Sequence, residues 1–122
     1  MTEDFLHDKL RIVQEIVPGR EITLAHIIAN PDESLFQTIG MEPDGGHAKS
    51  AIGIVTVSPS ETAIIIADIA LKSSGVSLCA ADRIAGTLII AGTVSEVESA
   101  MAALTAYARE TLKFSICDIT RT

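Results

Sequence analysis

Basic and aromatic side chains are scarce in this sequence of 122 residues. Nine Lys and Arg residues stand against 16 Asp and Glu, which gives a formal net charge of −7, and only 3% of the residues are aromatic. Nucleic acids and anionic membrane surfaces attract clustered Lys and Arg, so the charge balance argues against both as partners. With no tryptophan and few other rings, the core must be built from Ala, Ile, Val and Leu.

Cysteines and long apolar runs are also few. Cys79 and Cys117 lie far apart, with no CxxC pair and no Cys/His cluster, which argues against a zinc site or a disulfide framework. The N-terminal residues are acidic and contain no apolar stretch, so no signal peptide is expected. The longest apolar run is interrupted by Asp68 and is too short to span a bilayer. We therefore expect a soluble, cytoplasmic, single-domain α/β protein.

The most informative stretch of the sequence is 51–78. It opens with an apolar run that is typical of a strand buried on both faces, and it closes with a second such run. Between them, Ser58 and Glu61 have the spacing of a capping box, and Pro59 follows the predicted N-cap. The pattern predicts a strand, a helix over 59–73 and a second strand.

The predicted helix 59–73 has little polar surface for a small monomer. Only Glu61, Asp68 and Lys72 form a polar stripe, and the last two are spaced to pair as i and i+4. A domain of this length has limited core volume, so such a helix is expected to pack on both flanks, most simply against another copy of the chain. The alternative is an Ala-rich helix that lies deep within one chain.

Further elements precede and follow this stretch. Before it, the sequence predicts an extended arm at 10–17, a strand at 20–29, a short helix capped by Asp32 at 33–39 and a loop at 41–49. After it come a strand at 87–91, a helix with two overlapping capping boxes at Thr93 and Ser95, and a last strand at 114–119. Two strand–helix–strand units side by side predict a β-α-β-β-α-β sheet, which is the ferredoxin-like plan.

Residues with catalytic potential are isolated from one another. His26 lies in an apolar strand and His47 in a polar loop, with no acidic or cysteine partner at ligand spacing. Both cysteines lie in apolar strands, where a small buried side chain is favoured over a reactive thiol. No nucleophile–base set stands out. We therefore expect no catalytic residues, no cofactor, no metal site and no enzymatic activity.

Four blocks of the sequence resemble segments of bacterial microcompartment (BMC) shell proteins over roughly residues 11–122: REITLAHIIANPDE, AIGIVTVSPSETAIIIADIALKSSGVSL, DRIAGTLIIAG and CDITRT. In ordinary members, a segment similar to TLAHIIANPDESLFQTIG comes last. Here it comes first, as in the circularly permuted group found in ethanolamine- and propanediol-utilisation shells. The order of the blocks is as informative as their content.

The resemblance implies a circularly permuted, ferredoxin-like BMC domain at 20–122, preceded by an N-terminal arm at 1–19. It implies a homohexamer that tiles with other shell proteins into the wall of a microcompartment in the cytoplasm. The encapsulated enzymes are further candidate partners. The fold by itself is equally compatible with an alternative, a small oligomeric regulatory domain that binds a metabolite between subunits.

The resemblance also implies three sets of assembly residues. Lys72 matches a lysine at hexamer–hexamer edges, and Ala85, Gly86 and Thr87 match a turn that faces the central pore in unpermuted members. The residues that match the strand of a small pore-plugging barrel are Leu10, Arg11, Ile12, Val13, Gln14, Glu15, Ile16 and Val17. The turn at 30–32 lacks an arginine present in ordinary members, which predicts weaker lateral contact.

Overall fold

A computed structural model describes residues 19–39 and 50–122 of the chain. Within these ranges the elements are β1 (Glu21–Ala29), α1 (Glu33–Thr38), β2 (Ala51–Ser58), α2 (Thr62–Ser73), β3 (Ser77–Asp82), β4 (Thr87–Gly92), α3 (Val94–Glu110), β5 (Ser115–Ile116) and β6 (Thr120–Arg121). The strands form one sheet in the order β3-β4-β2-β1-β5, and β6 also pairs with β1. The pairs β1–β2, β2–β4 and β3–β4 are antiparallel, whereas β5 and β6 run parallel to β1.

The sheet confirms the β-α-β-β-α-β plan and shows which strand completes it. The elements β2, α2, β3, β4 and α3 follow one another along the chain, and β2 lies between β4 and β1. Strand β1 pairs with β2 from Glu21–Ser58 to Ala29–Ala51, although it precedes β2 in the sequence. A strand from the start of the chain thus occupies the place that a strand after α3 would otherwise fill. This is the order expected of a circular permutation.

The predicted strand at 114–119 forms only at β5, and a second short strand, β6, follows beyond its predicted end. Both β5 and β6 pair with β1, and the residues between them, 117–119, are not in a strand. Opposite this gap, the register of β1 shifts between Ile22 and Leu24. A bulge of this kind leaves residues unpaired and disrupts the ladder locally. The break in the edge strand thus lies beside an irregularity of the β1–β2 ladder, which a pattern of apolar residues does not reveal.

The two faces of the sheet bury different clusters. Helices α2 and α3 cover one face, and the large side chains of that core that are fully buried are Ile22, Val55, Ile66, Leu88, Ile90, Val97, Met101 and Leu104. On the other face, Phe36 of α1 packs with Ile52 and Ala91. Successive residues of β2 point to opposite faces and so serve both clusters. The prediction that this strand is buried on both faces is confirmed.

Helix α3 begins with the capping box predicted at Thr93. The Thr93 Oγ1 accepts a hydrogen bond from the Glu96 N–H at 3.1 Å, and the Glu96 Oε1 accepts one from the Thr93 N–H at 2.9 Å. Ser95 lies inside the helix, so the overlapping box predicted there does not form. The two reciprocal bonds satisfy backbone donors that the first turn of a helix leaves unpaired.

The capping box predicted at Ser58 is wrong. Ser58 is the last residue of β2 and pairs with Glu21 of β1. Residues 59–61 form a turn, and the N–H groups of the next three residues, Thr62, Ala63 and Ile64, donate to carbonyls three positions earlier at 3.0, 3.1 and 3.2 Å. Helix α2 then begins at Thr62 without a side-chain cap. The carbonyl groups of this tight turn therefore accept hydrogen bonds from the N–H groups at the start of the helix, in place of the predicted side-chain cap.

Candidate assembly surfaces

Helix α2 presents large apolar side chains to solvent. Its inner face is buried, with Ile66 fully inaccessible, whereas Ile64, Ile65 and Leu71 are 49%, 45% and 42% exposed. Asp68 and Lys72 lie on the same side of the helix. We name this exposed stripe the α2 outer face, and its residues are Ile64, Ile65, Asp68, Leu71 and Lys72. Exposed apolar side chains that share one face mark an interaction surface more often than isolated ones do.

The ion pair predicted by the i, i+4 spacing is present on this face. The Lys72 Nζ lies 2.8 Å from the Asp68 Oδ2, and the two side chains are 73% and 57% exposed. The hydrogen bond to Asp68 and the charge of its carboxylate raise the pKa of Lys72. Exposed pairs of this type contribute little to stability. Their main consequence here is that the charge on an otherwise apolar face is balanced.

A tight turn, residues 83–86, joins β3 to β4. The Asp82 Oδ1 accepts hydrogen bonds from the backbone N–H groups of Ile84 and Ala85 at 2.8 and 3.0 Å, and the Gly86 N–H donates to the Asp82 carbonyl at 2.8 Å. The bond from Ala85, then that from Ile84, hold the pKa of Asp82 below its usual value. The carboxylate at the end of β3 therefore fixes the backbone of the turn.

The pore-turn candidates lie together in and after this turn. Ala85 is exposed, Thr87 opens β4, and Gly86 is buried against the end of β2. Gly86 has a positive φ of 74°, and a Cβ there would collide with the Val57 carbonyl oxygen. The Gly86 carbonyl in turn accepts the Val57 N–H at 2.8 Å. Only glycine fits this combination of conformation and contact.

Ile84 is the residue of this turn that sequence reasoning missed. Its side chain is 80% exposed, and no other large apolar side chain of the described ranges exceeds 49%. One signal in the sequence could have found it, since an isoleucine between Asp-Arg and Ala-Gly is out of place in a short polar connection. The fixed backbone of the turn holds this side chain out into solvent.

Two sequence predictions lie outside the described residues. They are the barrel strand at 10–17 and the loop at 41–49, which contains His47. The chain is described from Gly19 onward, at the entry to β1.

His26 is a half-buried histidine whose two ring nitrogens both have hydrogen-bond partners. Its Nδ1 lies 2.6 Å from the Thr120 Oγ1, and its Nε2 lies 2.9 Å from the Thr122 Oγ1. Both threonines belong to the C-terminal segment that pairs with β1. The imidazole therefore links this segment to the sheet.

Neither cysteine forms a disulfide, and both side chains are half-buried. Cys79 contacts the cluster around Phe36, and Cys117 contacts the core beneath α2 and α3. Across residues 19–39 and 50–122, no three His, Cys, Asp or Glu side chains come close enough together to hold a metal ion. In the same ranges, no helix has the length and apolar character that a membrane crossing needs.

Comparison with known proteins gives a consistent match. Residues 51–120 match the family model of the BMC domain. The chain is 46% identical over 112 residues to the bacterial microcompartment shell protein PduU of Salmonella typhimurium, which covers 92% of this chain and 93% of PduU. It is 45% identical over 114 residues to the shell protein EutS of Escherichia coli, with 93% and 98% covered. Alignments of this length include β1, which precedes the region matched by the family model.

The fold matches as well as the sequence. A solved structure of CutR, described as a flat hexamer, superposes with a TM-score of 0.78 at 37% identity, over 87% of this chain and 94% of the CutR chain. The sequence matches and the structural match each cover most of this chain and most of the matched protein.

Proposed function

The chain belongs to the BMC domain family of bacterial microcompartment shell proteins, and from this premise we propose that it is a structural tile of such a shell. Its unit is a cyclic homohexamer that joins other shell proteins in the wall around metabolic enzymes in the cytoplasm. The observation that carries the proposal is the α2 outer face, which one chain leaves unburied. Nearly full-length similarity to named shell proteins does not favour the alternative, a metabolite-binding regulatory domain.

The chain acts by assembly and not by catalysis. The names of its relatives are those of shell proteins, and they point to a structural role. In the described part of the chain, every buried side-chain nitrogen and oxygen has a hydrogen-bond partner. We expect that both cysteines can be replaced by Ser or Ala with a loss of stability and with no chemical phenotype.

The domain at 20–122 forms the tile, and the arm at 1–19 closes its axis. The turn 83–86 faces the axis, and Ala85, Gly86 and Thr87 line it. A lone strand such as 10–17 needs partners for its backbone donors and acceptors. Six arms around one axis supply them, because parallel strands that close into a barrel leave no edge. The hexamer is then a sealed tile with no route for metabolites through its centre.

Lys72 is the edge residue of the tile. It lies on the exposed side of α2, in the last turn, where its alkyl stem is free to pack against a neighbouring hexamer. Its contacts join hexamers and do not hold one hexamer together.

Native mass spectrometry tests the hexamer through the α2 outer face. The wild-type chain is expected at six times its mass of 12.9 kDa. Ile65→Asp places a charge in the apolar contact, so it should reduce the assembly to smaller species while circular dichroism stays unchanged. Ser99→Asp adds the same charge to an exposed position of α3 and should leave the hexamer intact. A monomeric wild-type chain at physiological salt would contradict the proposal.

Deletion of residues 1–17 tests the closure of the axis. The shortened chain should keep the hexameric mass and show an open central channel by electron cryo-microscopy. A full-length hexamer that already has an unobstructed axis would contradict the barrel and leave the hexamer itself untouched.

A further inference from the structure

We propose that Ile84 is the seat on which the N-terminal arm docks, so that six copies of this side chain form an apolar floor beneath the closed arms. The inference rests on the proposed hexamer and adds to it the surface that recognises the arm. It assigns a role to a residue outside the set matched to the pore turn.

The exposure of Ile84 calls for a partner. At 80%, its side chain is far more exposed than the large apolar residues of the α2 outer face. The turn that carries it is held from both ends, by the Asp82 carboxylate on the N–H groups of Ile84 and Ala85 and by Gly86 on the end of β2. An apolar side chain on a fixed backbone loses little conformational freedom on binding, which favours docking.

Strand register brings the start of the arm to this turn. Strands β1 and β4 are both antiparallel to β2, which lies between them, so they run in the same direction and begin at the same end of the sheet. Leu24 of β1 pairs with Thr56, and Thr56 pairs with Thr87, the first residue of β4. Neighbouring strands lie about 4.8 Å apart, so Leu24 and Thr87 are separated by about 10 Å, and β1 begins three residues before Leu24, on the side of the turn 83–86.

The arm therefore leaves the described chain beside the turn that carries Ile84. Residues 10–17 directly precede this entry, and in extended form they reach about 26 Å. The arm is long enough to meet the turn of its own copy.

The composition of the arm fits an apolar seat. Of the residues at 10–17, five are large and apolar: Leu10, Ile12, Val13, Ile16 and Val17. A barrel of parallel strands satisfies its backbone around the circumference, but both ends of its apolar interior stay open to water. A ring of isoleucines at the end nearer the tile covers that opening. No polar side chain of the turn could do the same.

Photo-crosslinking identifies what covers Ile84. The full-length chain is prepared with photoreactive benzoylphenylalanine in place of Ile84, and the native mass is checked before irradiation. We expect crosslinked peptides that map to residues 10–17, within one copy or between copies. The absence of any crosslink to the arm would overturn the proposal, whether or not the turns of different copies crosslink to one another. The same substitution at Ile119, which is 40% exposed, should give no crosslinks to the arm.

Limited proteolysis measures the contribution of the side chain. Trypsin can cut the arm after Arg11, and a docked arm resists it. Ile84→Asn should raise the rate of this cleavage about tenfold or more, because proteolysis follows the population of the undocked arm. Ile119→Asn is the matched control and should stay close to the wild-type rate. Equal cleavage of the wild type and Ile84→Asn would refute a seat at Ile84.

The two levels of the proposal fail in different ways. A wild-type mass below that of a hexamer would remove the proposed function and the seat together. A hexamer that keeps its mass but releases the arm independently of Ile84 would remove the seat alone.

Discussion

Single residues decide how the turn before β4 is built. Gly86 accepts a positive φ and lies against the Val57 carbonyl, while the Asp82 carboxylate holds the N–H groups at the tip. The two residues act on opposite ends of one short segment. Substitutions at either position should therefore change the conformation of the turn more than the packing of the core.

Replacement of Gly86 by alanine should be costly. Gly86→Ala forces a Cβ into the left-handed region and against the Val57 carbonyl, so the free energy of unfolding should fall by about 2–4 kcal/mol. Gly19→Ala is the matched control, because Gly19 also has a positive φ, 83°, but no atom of the described residues lies within 4 Å of the added Cβ. It should cost about 1 kcal/mol. Urea unfolding at one protein concentration measures both, and equal losses would contradict the steric explanation.

The turn should also respond to acid. Because its hydrogen bonds to Ala85 and Ile84 lower the pKa of Asp82, the stability that they contribute is present above the ordinary value of 3.8 and is lost as pH falls through the lowered value. Asp82→Asn keeps an acceptor oxygen and does not titrate. The difference in unfolding free energy between the wild type and Asp82→Asn should thus be constant near neutral pH and change below pH 3.8. A difference that is constant at every pH would show that the carboxylate charge is irrelevant.

At the scale of elements, the chain shows which sequence signals are sufficient. The apolar runs of β2 and β4 and the capping box at Thr93 predicted elements within one or two residues, because burial and local hydrogen bonds agree there. The same capping pattern at Ser58 failed, since pairing with Glu21 kept Ser58 in β2. That contact joins positions far apart in sequence. A local pattern cannot reveal it.

The two overlapping boxes at the start of α3 can be separated by substitution. Thr93→Ala removes an observed cap, so it should lower the free energy of unfolding by about 1 kcal/mol. Ser95→Ala changes an exposed position inside the helix, where alanine is the better helix former, and should shift stability by no more than about 0.5 kcal/mol. Thermal and urea unfolding report both values. A larger loss of stability with Ser95→Ala than with Thr93→Ala would show that Ser95, and not Thr93, caps helix α3.

At the scale of the whole molecule, the sequence predicted the apolar outer face of α2 but not which strands are neighbours in the sheet. The shortage of polar residues on the helix now seen as α2 predicted a face that needs a partner, and that face is exposed in one chain. The position of β1 beside β2 was not predicted, because no periodicity shows which strands are neighbours. Ile84 was missed because exposure depends on where the turn projects. Its neighbours in the sequence say little about that.

A shell tile makes two kinds of contact, one between subunits of a hexamer and one between neighbouring hexamers. Lys72 and Ile65 lie on the same outer face of α2, but we assign Lys72 to contacts between hexamers and Ile65 to contacts within one. Lys72→Ala should therefore keep the hexameric native mass and lose extended sheets in electron micrographs. Asp68→Ala is the matched control, because it breaks the ion pair and leaves the lysine stem and its ammonium group in place.

Sheets should persist in Asp68→Ala if the lysine itself makes the edge contact. The pair is exposed and contributes little to the stability of the chain, so neither substitution should change the fold. Loss of the hexamer in Lys72→Ala would move this residue into the contact between subunits. Loss of sheets in both variants would mean that the ion pair, and not the lysine alone, presents the edge. Only sheets lost with Lys72→Ala and kept with Asp68→Ala agree with a contact made through the stem and hydrogen bonds of Lys72.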